Sequence, residues 1–245
     1  MARFCLQIAG YTGEVVSLFE STRDYCRNYL SLEAPDFRFT VTKDHLAFEQ
    51  AAAQAEAQAL GFKPRIFTDP FLERAAVQRA FAEFLLDKNV LLLHGSALAL
   101  DGNGYLFTAK SGTGKSTHCR LWRQVFGDRV RPVNDDKPFL TILDRGVTVH
   151  GAPWSGKHGL DTNLDVPLRG IFLLERGKED RICPLSPARI SPALLEAAHH
   201  PLEARREPLL QGLAETLAHT VPAWRLICTP TPNAVLTAHS VLSER

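Results

Sequence analysis

A chain of 245 residues, 45% hydrophobic and 22% charged, has ordinary globular composition and enough length to bury a core without disulfide or metal staples. Its 28 Lys and Arg nearly balance 27 Asp and Glu, and a formal charge of +1 excludes bulk electrostatic capture of nucleic acid or of an anionic membrane. The 5 cysteines are scattered, odd in number and without a CxxC pair, and residues 1–10 carry no secretory apolar core; a soluble cytoplasmic protein, with no disulfide framework, zinc knuckle or membrane span, is the expectation.

Residues 1–65 read as a small N-terminal α+β module. A strand is predicted over 4–8 and a half-buried one over 37–41, where apolar and polar residues alternate. The stretch 45–60, rich in Ala, Gln and Glu, favours helix. No chemistry is legible in this module. Residues 66–245 are expected to form the second domain. Asp69-Pro70 marks a helix start, and Leu72, Ala76, Ala80 and Phe84 recur at helical spacing up to Leu86. A buried strand is predicted over 90–93. Two more, over 97–100 and 105–108, flank the turn Asp101-Gly102-Asn103-Gly104. The second arm of a hairpin therefore leads into the segment that follows.

That segment is Ala109-Lys110-Ser111-Gly112-Thr113-Gly114-Lys115-Ser116-Thr117. Strand, glycine-rich loop, lysine, hydroxyl and helix is the layout of a nucleotide-phosphate cradle. A polyphosphate needs several inward donors at once. Backbone amides supply them where Gly112 and Gly114 let the chain wrap closely. Lys115 adds a mobile charge for the outer phosphates, Ser116 a hydroxyl for Mg²⁺, and the helix its positive end. Ser111, Thr113 and Thr117 complete the loop. Ala109 stands where the pattern has its first glycine, which a methyl group tolerates if φ stays negative.

A helix over 116–126 follows, with Leu121, Trp122 and Val125 inward, then a strand ending at Asn134. Asp135-Asp136 comes next. Two carboxylates at a strand end near a phosphate cradle can divide two tasks, holding Mg²⁺ and accepting the proton of an attacking hydroxyl. The sequence does not say which does which. His94-Gly95 ends the strand before the hairpin, so His94 is a third candidate beside the cradle. A hairpin over 139–150 turns at Asp144-Arg145-Gly146, and the polar loop 151–165 carries Trp154, Ser155 and Lys157 as candidate substrate contacts. Arg169, on the buried strand 168–174, is a further one. Beyond it, helix is predicted from Ser191, with Leu209, Leu210, Leu213 and Leu217 on one face and His199-His200 on its surface. A strand over 224–228 and a helix opened by Thr231-Pro232 close the chain.

His94-Gly95, the loop Lys110–Ser116 and the box Val133-Asn134-Asp135-Asp136 together resemble the HPr kinase/phosphorylase family, and the loop core Ser111–Thr117 is similar to that of ATP-dependent phosphoenolpyruvate carboxykinases. The order Gly151-Ala152-Pro153-Trp154-Ser155-Gly156-Lys157, then Pro167-Leu168-Arg169-Gly170, looks closer to HPr-kinase-related proteins of peptide modification, among them lasso-peptide kinases that phosphorylate a precursor serine. The resemblance implies an α/β P-loop core, a mixed sheet with flanking helices. It also implies ATP and Mg²⁺ as cofactors, with Lys115 and the loop amides on the β- and γ-phosphates, Ser116 and one aspartate on the metal, the other aspartate as base, and His94 beside the transferring phosphate. The expected activity is γ-phosphate transfer to a hydroxyl, foremost a serine of a peptide or protein. A small-molecule kinase and a non-catalytic ATP-binding module are the alternatives, and homo-oligomerisation is left open.

Overall fold

A computed structural model describes residues 1–59, 61–110, 112–156 and 159–242. The chain divides into two compact units, Met1–Leu85 and Leu86–Arg245. The first holds strands β1 (Ala2–Ile8), β2 (Tyr11–Ser17), β3 (Leu30–Ser31) and β4 (Phe37–Thr40) and helices α1 (Glu20–Tyr25), α2 (Lys43–Ala59) and α3 (Asp69–Leu86). Its sheet runs β3-β1-β2-β4. The β1–β2 hairpin turns on Ala9 and Gly10, both at positive φ (52° and 82°), the signature of a two-residue turn that follows strand twist.

The boundary falls after Leu85, later than the expected 65/66, because α3 is knitted into this first unit. Phe37 of β4 stacks on Phe84 at 4.4 Å between ring centroids and meets Phe81 edge-on at 4.9 Å. Buried Glu73 accepts from the amides of Leu18 and Phe19 and from the hydroxyl of Thr22. It thus caps the entry to α1, whose own N-cap Phe19 has no side chain able to do so. Arg79 forks onto Glu49 of α2 (2.5 and 3.0 Å).

The second unit is a mixed sheet with helices on both faces, in line with the expected α/β class. Its strands are β5 (Val90–Leu92), β6 (Ser96–Leu100), β7 (Asn103–Thr108), β8 (Val130–Asn134), β9 (Phe139–Leu143), β10 (Gly146–His150), β11 (Asp165–Arg176), β12 (Arg181–Leu185) and β13 (Ala223–Cys228). Its helices are α4 (Lys115–Phe126), α5 (Pro187–Ala197), α6 (Glu207–Thr220) and α7 (Pro232–Ser240). The strand path is β5-β9-β10-β11-β7-β6-β8, with β13 added to β11 and β12 to β13. The long strand β11 pairs parallel with β7 along one flank. On the other it pairs first antiparallel with β10, then parallel with β13.

Alternation along the strands sends successive side chains to opposite cores. Leu106 joins Val149, Ile171, Ile190 and Leu213 under α5 and α6. Phe107 joins Trp122, Phe172, Trp224 and Val235 under α4 and α7. Two expectations about the helical tail are corrected. Leu209 is exposed while Leu210, Leu213 and Leu217 are buried, because its position lies outside the apolar stripe of α6. His199 is not helical: α5 ends at Ala197, and the chain then runs beside β5, with Ala198 bridged to Leu93 and the His199 amide donating to Leu92 O.

Candidate functional site

The glycine loop leaves the end of β7 and opens α4. Gly112 and Gly114 take φ of +78° and +120°, and a Cβ at either would meet nothing within 4 Å. The backbone angle, not space, demands glycine at both. Ala109 is not among the residues with positive φ, so its methyl sits without strain. Gly114 is the N-cap of α4 and offers no side chain, which leaves the first amides of the helix for another acceptor. Ser111 lies outside the described residues. Ser116 and Thr117 stand half-buried in the first turn of α4.

Lys115 is 8% exposed, and its Nζ donates to Ala109 O at 3.1 Å, across the loop. Burial pulls its pKa down, and nearby Lys137 adds to this, while the charge of Asp136 acts the other way. The loop itself is gripped from β11. Arg176 donates through Nε to Thr113 O (3.1 Å) and through Nη2 to Gly112 O (2.5 Å).

The acidic pair follows β8, two strands from β7 in the sheet. Asn134, fully buried, organises it. Its Oδ1 accepts from the amides of Asp136 (2.8 Å) and Lys137 (2.6 Å), and its Nδ2 donates to the carbonyls of Ala152 (2.8 Å) and Trp154 (3.3 Å). One amide side chain therefore fixes both the Asp-Asp turn and the incoming loop 151–156. The backbone carbonyl of Asp135 accepts from Ser96 Oγ (2.8 Å), and its Oδ1 accepts from the Gly156 amide (2.6 Å).

The two aspartates differ in setting. Asp135 is 5% exposed. Its charge, after burial, helps raise the Cys119 thiol to about 12. Cys119 lies one turn beyond Ser116 on α4, so the two share a helix face. Asp136 is more open, with His94 Nε2 at 3.4 Å from its Oδ1. Burial pushes its pKa up. The His94 hydrogen bond and the charges of Lys137 and Lys115 outweigh that and hold it below the ordinary carboxylate value.

The structure thus brings together His94, Lys115, Asp135, Asp136 and the described part of the glycine loop. It does not bring Arg169 there. Leu168 and Gly170 pair with Gly104 and Tyr105, at the opposite end of β7 from the loop, roughly 16 Å away at 3.3 Å per residue. Trp154 is 5% exposed, with Phe139 at 6.1 Å between rings, and works as a packing residue. Ser155 donates to Asp161 Oδ1 at 2.6 Å, and Lys157 lies outside the described residues. Asn134, Gly156 and Arg176 are the residues that sequence reasoning passed over. Asn134 stood inside the box already singled out, and Arg176 two residues past the predicted strand 168–174. Among the described residues no three His, Cys, Asp or Glu side chains gather as a metal cage. A magnesium ion carried on phosphates needs fewer protein oxygens than that, and the Ser116 hydroxyl with a neighbouring carboxylate is a suitable hard-oxygen set.

A family model described as SynChlorMet cassette protein ScmC matches residues 77–233. No curated protein matches the chain. Among solved structures the chain is similar to the Hpr(Ser) kinase/phosphatase from Coxiella burnetii, at 14% identity over 62% of this chain and 97% of that one, with a TM-score of 0.34.

Proposed function

The chain belongs to the ScmC family of SynChlorMet cassette proteins, and from the geometry of its site we propose that it is an ATP- and Mg²⁺-dependent phosphotransferase acting on a hydroxyl, foremost a serine of a peptide or protein. The observation that carries the reading is the convergence of a positive-φ glycine loop, a buried lysine and a His94–Asp136 pair at neighbouring strand ends. In this reading the amides of the loop and of the first turn of α4 cradle the β- and γ-phosphates. Lys115 exchanges Ala109 O for a phosphate oxygen, and the neighbouring Asp136 charge helps keep it protonated. Ser116 and Asp135 are the residues that would hold Mg²⁺, which supplies neutralisation of charge on the transferring phosphate.

Asp136 takes the proton of the acceptor hydroxyl. It is the more exposed carboxylate, ionised well below neutral pH, and His94 fixes its orientation. Asn134 holds this carboxylate and the loop 151–156 in one register, so catalysis is largely positioning. The test is transfer from γ-labelled ATP to serine-containing candidate peptides in the presence of Mg²⁺. Lys115→Ala and Asp136→Asn are each expected to lower transfer by about a hundredfold or more. Equal labelling by wild type and Lys115→Ala refutes the reading.

A further inference from the structure

A second cavity, of about 760 Å³, lies in the same unit at the opposite end of the sheet, among the starts of the parallel strands β7, β11 and β13. Its volume is that of a small-molecule pocket. In open α/β sheets ligands usually sit at the carboxyl ends of the strands, where the glycine loop is here, so this cavity is separate from the phosphate site. Its apolar lining comes from Val147, Leu168, Val221 and Trp224. Gly170 makes room for them: a Cβ there would lie 3.0 Å from the Trp224 ring and 3.3 Å from that of Tyr105.

The charged lining has one sign. Arg145, from the β9–β10 turn, and Arg169, from β11, both line the cavity, and no Asp or Glu does. Neither arginine makes an ion pair among the described residues. Arg169 has a single long hydrogen bond, to Asn103 Oδ1 at 3.4 Å, and Arg145 has none. Two carboxylates at the starts of β7 and β11 are held elsewhere, Asp101 by Arg129 and Asp165 by His150, and Asp144, next to Arg145 in the turn, does not line the cavity. Burial raises the Tyr105 hydroxyl above its ordinary pKa, so it remains a donor on this lining. Two guanidinium groups without ion pairs, beside apolar side chains, match a planar anion carried on an apolar body.

We propose that this cavity is a binding site for a carboxylate on an aromatic or branched apolar body, read by Arg145 and Arg169, with the body resting on Trp224 and Leu168. Such a group is presented by a free aromatic acid or by the C-terminal residue of a peptide, and the test separates the two. The full chain, without nucleotide, is titrated calorimetrically with indole-3-acetate, with indole-3-acetamide, with the dipeptide acetyl-Leu-Phe and with its C-terminal amide. Saturable binding of either acid, with the matching amide at least about tenfold weaker, is expected. Arg145→Gln/Arg169→Gln is expected to weaken the acid by about tenfold or more while the urea midpoint stays put, since both side chains are exposed. Lysine at both positions keeps the charge and loses the fork, and is expected to fall between. Binding of the dipeptide acid alone assigns the site to peptide termini, and binding of indole-3-acetate alone assigns it to small acids. Absence of binding by both, equal binding of acid and amide, or binding indifferent to both arginines overturns the proposal. Because ATP is left out, failure here says nothing against phosphate transfer, and failure of transfer says nothing against this site.

Discussion

Replacing Asn134 by alanine removes four hydrogen bonds through one side chain. Two carbonyls, of fully buried Ala152 and of nearly buried Trp154, lose their donor, and the amides of Asp136 and Lys137 lose their acceptor. At about 1 kcal/mol each, with the buried carbonyls at the upper end, the loss is about 4 kcal/mol, a large share of the stability of an ordinary domain. Asn134→Asp keeps the acceptor but aims an anion at two carbonyls and sets a third charge beside Asp135 and Asp136, so it is expected to cost as much at neutral pH. Urea unfolding followed by tryptophan fluorescence reads the stability. Amide exchange of Gly156, the donor to Asp135 Oδ1, reads whether the loop has come loose. If both variants unfold within about 1 kcal/mol of the wild type and Gly156 stays as protected as before, Asn134 does not organise the site as argued.

Three further outcomes are expected. Buried His118, whose Nε2 accepts from Trp122 Nε1 at 3.0 Å, has its pKa pulled by burial to about 4; the unfolded chain takes up this proton near pH 6.5 and the folded chain does not, so stability falls as pH drops through 6.5 toward 4, by about 2 kcal/mol at pH 5, and His118→Gln flattens that part of the urea-midpoint profile. Arg176→Met, which removes both bonds to the loop carbonyls, is expected to leave the urea midpoint nearly unchanged and to weaken calorimetric Mg-nucleotide binding about tenfold, by the cost of ordering the loop; undiminished affinity shows that the loop is held from elsewhere. Glu73→Ala strips three hydrogen bonds from one buried carboxylate and is expected to destabilise the N-terminal unit by roughly 3–5 kcal/mol, read as faster exchange of the Leu18 and Phe19 amides.

What could be read from the sequence was what short-range chemistry dictates. The glycines of the loop announce their positive φ, Asp101-Gly102 and Asp144-Arg145-Gly146 announce their hairpins, and α3 and α4 carry their own spacing. What escaped depends on partners far along the chain. Arg176 is more than sixty residues from the carbonyls it holds, and the value of Asn134 lies in its reach to Ala152 and Trp154. Trp154 looked like a ligand contact because its neighbours are polar; Phe139, fifteen positions earlier, gives it a packed place instead. The edge strand β12 was missed because Pro184 interrupts its pattern and little of it is buried. The boundary was placed too early because nothing local to α3 reveals that Phe81 and Phe84 meet Phe37.

The strand β11 carries Arg169 near its start and Arg176 as its last residue, seven positions and about 23 Å apart at 3.3 Å per residue. Laddered along both flanks, it is a rod of set length rather than a hinge. The two guanidinium groups are several screening lengths from one another at physiological salt, where that length is about 8 Å. An anion arriving at one tip is electrostatically silent at the other, and any cooperativity measured between the tips is mechanical. Deleting one residue between them would turn one arginine to the reverse side of the sheet and leave the other where it was.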